Sequence, residues 1–75
     1  MKEYYYFGYL DRKFKAFKED GGAVFSNVTR KPIAFIEDGI WYDWNTHAHI
    51  AFEEDEIVFD FKSKEPIYII EKEMK

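Results

Sequence analysis

The residues of this 75-residue chain that could do chemistry are two histidines and a few nearby carboxylates. His47 and His49 are two residues apart, and Asp43 precedes them in the same segment. Two imidazoles on one strand can bind a metal ion together, but zinc normally needs three or four converging ligands. The chain has no cysteine, and its spacing fixes no third ligand. We therefore expect neither a metal site nor a cofactor, and we interpret the histidines as part of a solvated turn with one partly packed ring.

Asp43 and Asp60 are the other candidates, because paired carboxylates can act as acid and base when one of them is held protonated. Each comes just before a turn, where Asp commonly accepts hydrogen bonds from backbone N–H groups. Ser26 and Ser63 have no positioned base, and no glycine-rich loop leads into a helix. The sequence therefore predicts turn capping by both aspartates and favours a protein that is not an enzyme.

Four copies of a 17-residue unit position these side chains. Ala23–Gly39, Ile40–Glu56 and Ile57–Glu73 align without a gap, and Tyr5–Gly21 is a further copy that is followed by one inserted glycine. Within each unit the apolar residues alternate with a period of two, which is typical of half-buried strands and not of a helix. Each unit therefore reads as a strand, a turn and a second strand.

The residues between these strands have turn chemistry. Asp20-Gly21 and Asp38-Gly39 are hairpin signals, because glycine readily takes the positive φ that such turns require. The sequence predicts an all-β fold of four tandem hairpins, closed into a small, shallow, eight-stranded antiparallel barrel with pseudo-four-fold symmetry. Closure of the sheet removes its exposed edges. We expect one domain, residues 1–75, with repeats at 5–22, 23–39, 40–56 and 57–73.

The unit over Ile40–Ile50 runs aromatic, Asp, aromatic, turn and apolar. This unit and its tandem copies resemble the four-fold β-flower family of small bacterial proteins, and the likeness covers residues 5–73. The resemblance implies a shallow eight-stranded barrel of four hairpins, in a family with no established biochemical activity.

Both faces of the predicted strands are apolar, although an outward face is normally polar. One face therefore fills the barrel, and the other meets a ligand, a protein partner or a second copy of the chain. The rings that could line a central pocket for a small molecule or a lipid are Phe7, Phe25, Tyr42, Trp44 and Phe59. The second face holds Tyr6, Phe14, Val24, Pro32, Ala34, Ile36, Trp41, Ala51, Val58, Tyr68 and Ile70. The residues predicted to contact a partner are Trp41, His49, Tyr68, Glu53, Glu54, Asp55 and Glu56.

Charge also follows the repeat. The turns within the units are basic, through Arg12, Lys13, Arg30, Lys31, His47, Lys62 and Lys64. The turns between the units are acidic, through Glu19, Asp20, Glu37, Asp38, Glu53, Glu54, Asp55, Glu56, Glu71 and Glu73. Because these two sets fall at opposite ends of an up-and-down barrel, we predict one basic rim and one acidic rim.

Composition limits the function further. A net charge of −4 argues against a general nucleic-acid binder. No run approaches the roughly 18 apolar residues of a membrane span, and the absence of cysteine and of a secretory signal favours the cytoplasm.

The leading hypothesis is a non-catalytic interaction module, such as an accessory or inhibitor-like protein that presents its acidic rim to a target and self-associates or binds a protein. The alternative is a small-molecule or lipid-binding barrel. A third hypothesis is a metal-assisted enzyme around His47 and His49.

Overall fold

The computed structural model describes residues 3–19 and 21–72, which form eight antiparallel strands and no helix. Each strand pairs with its neighbours in sequence, and the first strand also pairs with the last, so that the sheet closes into a barrel. This confirms the predicted all-β barrel of consecutive hairpins. The strands are β1 (Tyr4–Gly8), β2 (Phe14–Lys18), β3 (Ala23–Ser26), β4 (Pro32–Glu37), β5 (Ile40–Asp43), β6 (His49–Glu54), β7 (Ile57–Asp60) and β8 (Pro66–Lys72).

Consecutive antiparallel strands place alternate connections at opposite ends of the barrel. The turns inside the units, residues 9–13, 27–31, 44–48 and 61–65, form one end, which we call the basic end. Its Arg and Lys residues are Arg12, Lys13, Arg30, Lys31, Lys62 and Lys64. The connections between the units form the opposite, acidic end. Asp20 and Glu73, both predicted for the acidic rim, lie outside the described residues.

Every unit has a register shift at the same place in its second strand. The shift leaves the eleventh residue of the unit without a direct partner, and these residues are Lys15, Ile33, Ile50 and Ile67. Such a bulge changes the direction of nearby side chains. Phe14 accordingly pairs with Phe7, and Pro32 pairs with Phe25, so both lie on the outer face, where strict alternation would not place them.

The barrel interior is filled mainly by the second and twelfth residues of the units. The buried hydrophobic residues are Tyr6, Ala16, Val24, Ala34, Trp41, Ala51, Val58 and Ile70. The Tyr6 and Trp41 rings come from opposite units and meet edge to face, with centroids 4.9 Å apart, and Tyr68 stacks on Trp41 at 5.7 Å. An eight-stranded barrel is just wide enough for side chains to fill. Alanine and valine therefore occupy most of the remaining interior positions.

The aromatic residues predicted for a central pocket lie on the outer wall instead. Each third-position ring directly follows a buried second-position residue, and successive side chains of a strand point to opposite faces. The outer rings are half-buried and stack between neighbouring units, as Phe17–Phe25 at 5.6 Å, Phe35–Tyr42 at 5.1 Å and Phe52–Phe59 at 5.4 Å. Trp44 is 41% exposed and meets Phe35 edge to face. The interior therefore belongs to the other face of the strands.

Candidate functional site

The basic end is built from four turns that share one backbone geometry. The eighth residue of each unit takes a positive φ and donates its N–H to the carbonyl oxygen of the fourth residue. These residues, with their φ values, are Arg12 (59°), Arg30 (65°), His47 (67°) and Lys64 (66°). The fourfold repetition gives this end a regular rim on which the variable side chains of the turns are displayed.

Asp43 and Asp60 cap the turns that follow them, as predicted. The Oδ2 atom of Asp43 accepts hydrogen bonds from the N–H groups two and three residues later, at 3.0 and 2.9 Å. Asp60 accepts the equivalent bonds at 3.0 and 2.9 Å. Backbone N–H groups, that of Thr46 foremost for Asp43 and that of Ser63 for Asp60, lower the pKa of both carboxyls. A carboxyl pair of this kind offers no protonated partner for acid–base work.

The two histidines belong to the outer surface of the basic end and do not face the barrel interior. His47 is a turn residue whose ring meets Phe35 edge to face at 5.6 Å. His49 is exposed, and its ring lies 4.8 Å from Tyr42 and 5.2 Å from Phe61. Within residues 3–19 and 21–72, no group of three or more His, Cys, Asp and Glu residues is placed to hold a metal ion.

A cavity of about 330 Å³, which we call the mouth cavity, opens at the basic end. Its lining consists of Ile33, Ala34, Trp41, Asp43, Ile50, Ala51, Asp60, Ile67 and Tyr68. The three isoleucines are bulge residues, and the two aspartates are the turn-capping pair. The aromatic part of the lining is the Trp41–Tyr68 stack of the core. The mouth cavity is therefore an apolar recess with two carboxylates in its wall.

Exposed large apolar side chains also gather at the basic end. In the described part of the chain they are Leu10 (91% exposed), Val28 (86%), Trp44 (41%), Ile33 (38%) and Ile50 (36%). Leu10 and Val28 occupy equivalent places in the turns of the first two units, and the isoleucines border the mouth cavity. Apolar groups collected on one surface are typical of a contact site, whereas singly scattered ones are ordinary.

The acidic end contains a second cavity, also of about 330 Å³. It is lined by Tyr4, Lys18, Gly39, Glu53, Glu54, Asp55, Glu56, Ile70 and Lys72. The ammonium groups of Lys18 and Lys72 lie 4.4 and 6.0 Å from the centre of the Tyr4 ring. Glu53 accepts a hydrogen bond of 2.8 Å from Nε1 of Trp41.

The residues predicted to contact a partner thus fall in three places. The four acidic residues 53–56 lie together at the acidic end. His49 lies on the outer wall, and Tyr68 is half-buried against the core. Trp41 is only 2% exposed and belongs to the core, because its strand parity turns the ring inward. Trp41 contacts both Glu53 and Tyr68, but it does so from the core, so the predicted residues do not form one exposed surface.

Sequence reasoning missed the mouth cavity and the exposed apolar tips of the turns. The available signal was the pairing of an isoleucine at the eleventh position with a small residue at the twelfth, as in Ile33-Ala34 and Ile50-Ala51. An alanine that recurs at one register position indicates a narrow interior. The isoleucine beside it then marks the border of that interior.

Comparisons of the chain with protein-family models, with curated proteins and with solved structures find no match. In the described part of the chain, no helix is long and apolar enough to cross a membrane.

Proposed function

We propose that this protein is a non-catalytic interaction module that binds a protein partner through its basic end. The observation that carries the proposal is the position of Leu10 and Val28, which are almost fully exposed at the tips of neighbouring turns. Arg12, Lys13 and Arg30 lie close to them in sequence. Exposed apolar groups within a basic surround suit a partner surface that combines an apolar recess with acidic residues.

The energy available at this surface is of the right order for binding. Full burial of a leucine or valine side chain contributes about 1.5–3 kcal/mol, so the two tips offer roughly 3–6 kcal/mol before the costs of association. Trp44 adds an aromatic side chain at the same end, and tryptophan is common among the residues that dominate interfaces.

The proposed contact surface is the basic end, and not the acidic rim that the sequence predicted. At the described part of the acidic end, no large apolar side chain is exposed. The engaged, low-pKa carboxyls of Asp43 and Asp60 support the non-catalytic part of the proposal. Membership of the four-fold β-flower family and a cytoplasmic location belong to the same proposal. The closed barrel of four hairpins supports the first, and the cysteine-free composition supports the second.

Site-specific photo-crosslinking in the native host tests the proposal. A photoreactive phenylalanine analogue is placed at position 10 or 28, and matched controls carry it at exposed positions 37 and 71 of the acidic end. We expect a discrete adduct from positions 10 and 28 and none from the controls. An adduct of twice the chain mass, obtained from both ends, identifies the partner as a second copy that presents its acidic end. Adducts from 37 and 71 alone, or from none of the four positions, contradict the proposal.

Small-molecule binding is a second candidate function, favoured by the mouth cavity. Ligand pockets usually span about 300–1,000 Å³, so a cavity of about 330 Å³ suits a compact molecule better than a lipid chain. In this second candidate function, the binding site is the open end of the barrel, and the outer rings Phe7, Phe25 and Phe59 do not contact the ligand.

A further inference from the structure

We infer that the mouth cavity binds a compact organic cation, an amine whose ammonium group meets Asp43 and Asp60 and whose apolar body contacts the isoleucine and aromatic lining. The inference rests on the second candidate function and names its ligand class. It concerns the isolated protein and a small ligand, so it is tested without any protein partner.

The charge of the cavity lining is negative, which favours a cationic ligand. Among the described residues that line the mouth cavity, Asp43 and Asp60 are the only charged ones. Both stand two residues after an inward-facing core residue, Trp41 and Val58 respectively, so their side chains share the inner face of the sheet. Each carboxylate offers about four acceptor positions. The N–H groups of the turn use two of them at Oδ2, and the hydroxyl group of Thr46 or Ser63 also bonds the carboxylate, which leaves capacity for one further donor in the cavity.

Three cations of the basic end are held at the outer wall of the barrel, whereas Lys62 is close enough to Asp60 to lower its pKa. The three contact outer aromatic rings, as Arg12 over Tyr9 (5.8 Å), Arg30 over Phe17 (5.4 Å) and Lys64 over Phe61 (4.8 Å). Cation–π contact holds these groups against the outer surface. These three cations therefore do not line the mouth cavity, and its charged lining residues are the two aspartates.

The apolar part of the lining favours an organic cation over a bare metal ion. Ile33, Ile50 and Ile67 come to the opening because each is a bulge residue, and Trp41 and Tyr68 supply stacked rings. Aromatic faces attract ammonium groups, and aliphatic side chains favour the apolar body of a ligand. The small volume restricts that body to about one ring or a short branched chain.

Fluorescence titration of a Trp44→Phe variant tests the inference. The chain has two tryptophans, so this variant reports on Trp41 in the cavity lining alone. The probes are three molecules of similar size: 2-phenylethylamine, neutral 2-phenylethanol and anionic phenylacetate. We expect saturable binding of the amine and roughly 10- to 100-fold weaker binding of the alcohol, the ratio that loss of a charged hydrogen bond implies. Phenylacetate is expected to bind more weakly still.

Asparagine variants locate the ammonium group. Asp43→Asn and Asp60→Asn each keep an acceptor oxygen for the turn, and each should lower the affinity for the amine about tenfold while leaving that for the alcohol unchanged. The matched control is Asp11→Asn, because Asp11 caps Lys13 in the equivalent turn of the first unit and does not line the mouth cavity. Ile50→Phe, which narrows the opening without adding a tryptophan, should weaken binding of every probe.

Three results would overturn the inference: no binding of the amine, equal binding of all three probes, or equal losses from Asp11→Asn and Asp43→Asn. Circular dichroism and the urea midpoint establish that each variant is folded, and Ile50→Phe gives an independent test if an aspartate variant unfolds. None of these results bears on the crosslinks from positions 10 and 28, so the failure of this inference is distinguishable from failure of the protein-binding proposal.

Discussion

Glu56→Gly is expected to stabilise the fold, because Glu56 occupies a turn position that glycine fills elsewhere. Asp55 and Glu56 have φ values of 54° and 66°, and the equivalent pair of the preceding connection, Asp38 and Gly39, has 55° and 79°. Positive φ at both central residues is the pattern of a type I′ hairpin turn, where glycine is favoured at the second position.

The size of the effect follows from two opposing contributions. A residue with a Cβ in the left-handed region costs roughly 1–2 kcal/mol. Glycine removes that cost but adds conformational freedom to the unfolded chain, which opposes folding by about 0.5–1 kcal/mol. The balance predicts a gain of about 0.5–1 kcal/mol in the free energy of unfolding, or a rise of about 2–8 °C in Tm for a domain of this size.

Charge relief must be separated from backbone strain, because Glu53 and Glu54 lie in the same acidic segment. Glu56→Ala removes the charge and keeps a Cβ at positive φ, so it should recover little of the gain. Gly39→Ala introduces a Cβ at positive φ and changes no charge. A Cβ there would meet no atom closer than the Glu53 carbonyl oxygen at 3.9 Å, so its expected loss of about 1 kcal/mol comes from φ alone.

Urea denaturation of the three variants, at low and at high salt, measures these differences. The expected order of stability places Glu56→Gly above wild type and Gly39→Ala below it. The reasoning is refuted if Glu56→Ala stabilises as much as Glu56→Gly, or if Gly39→Ala costs nothing.

Further predictions concern the core and the titrating groups. Trp41→Ala should lower the free energy of unfolding by about 3–5 kcal/mol in urea titrations, because it empties the barrel centre, whereas exposed Trp44→Ala should cost under about 1 kcal/mol. The lowered pKa of Asp43 and of Asp60 means that their stabilisation is present above the unfolded value near 4 and is lost as pH falls through the folded value. The Tm measured between pH 6 and pH 2 should therefore depend less on pH in a double asparagine variant than in the wild type. Burial raises the pKa of Tyr6, so the contribution of this residue to stability is fully present below the unfolded value near 10 and is lost as pH rises above it. Tyr6→Phe should reduce this alkaline loss in urea titrations.

The barrel and its turns could be predicted from the sequence because each depends on local chemistry. Period-two alternation defines strands, and the repeat gives their number. Asp43 and Asp60 each precede a turn and cap it, as this residue type commonly does. Closure followed from the need to cover the sheet edges.

The inner face of the barrel could not be assigned by the same reasoning. Alternation divides the residues into two faces, and when both faces are apolar it does not say which one points inward. The deciding quantity is volume, since Ala16, Ala34 and Ala51 fit a narrow interior that could not hold all the large rings of the other face.

The mouth cavity depends on the bulges, which no single residue type marks. Lys15 and Ile50 occupy the same bulge position in different units, although one is charged and the other apolar. A one-residue shift in pairing redirects the neighbouring side chains. Neither the isoleucine border of the opening nor the outward position of Phe14 follows from alternation alone.

Native mass spectrometry of the protein purified gently from its host tests partner binding through the basic end most directly. The wild type is compared with a double variant, Leu10→Ser and Val28→Ser, and with Glu37→Lys at the acidic end as a matched surface control. The account predicts a discrete additional protein mass on the wild type and on Glu37→Lys, and the bare chain for the double variant. A bare wild type, or a complex that survives in the double variant and is lost in Glu37→Lys, would contradict it.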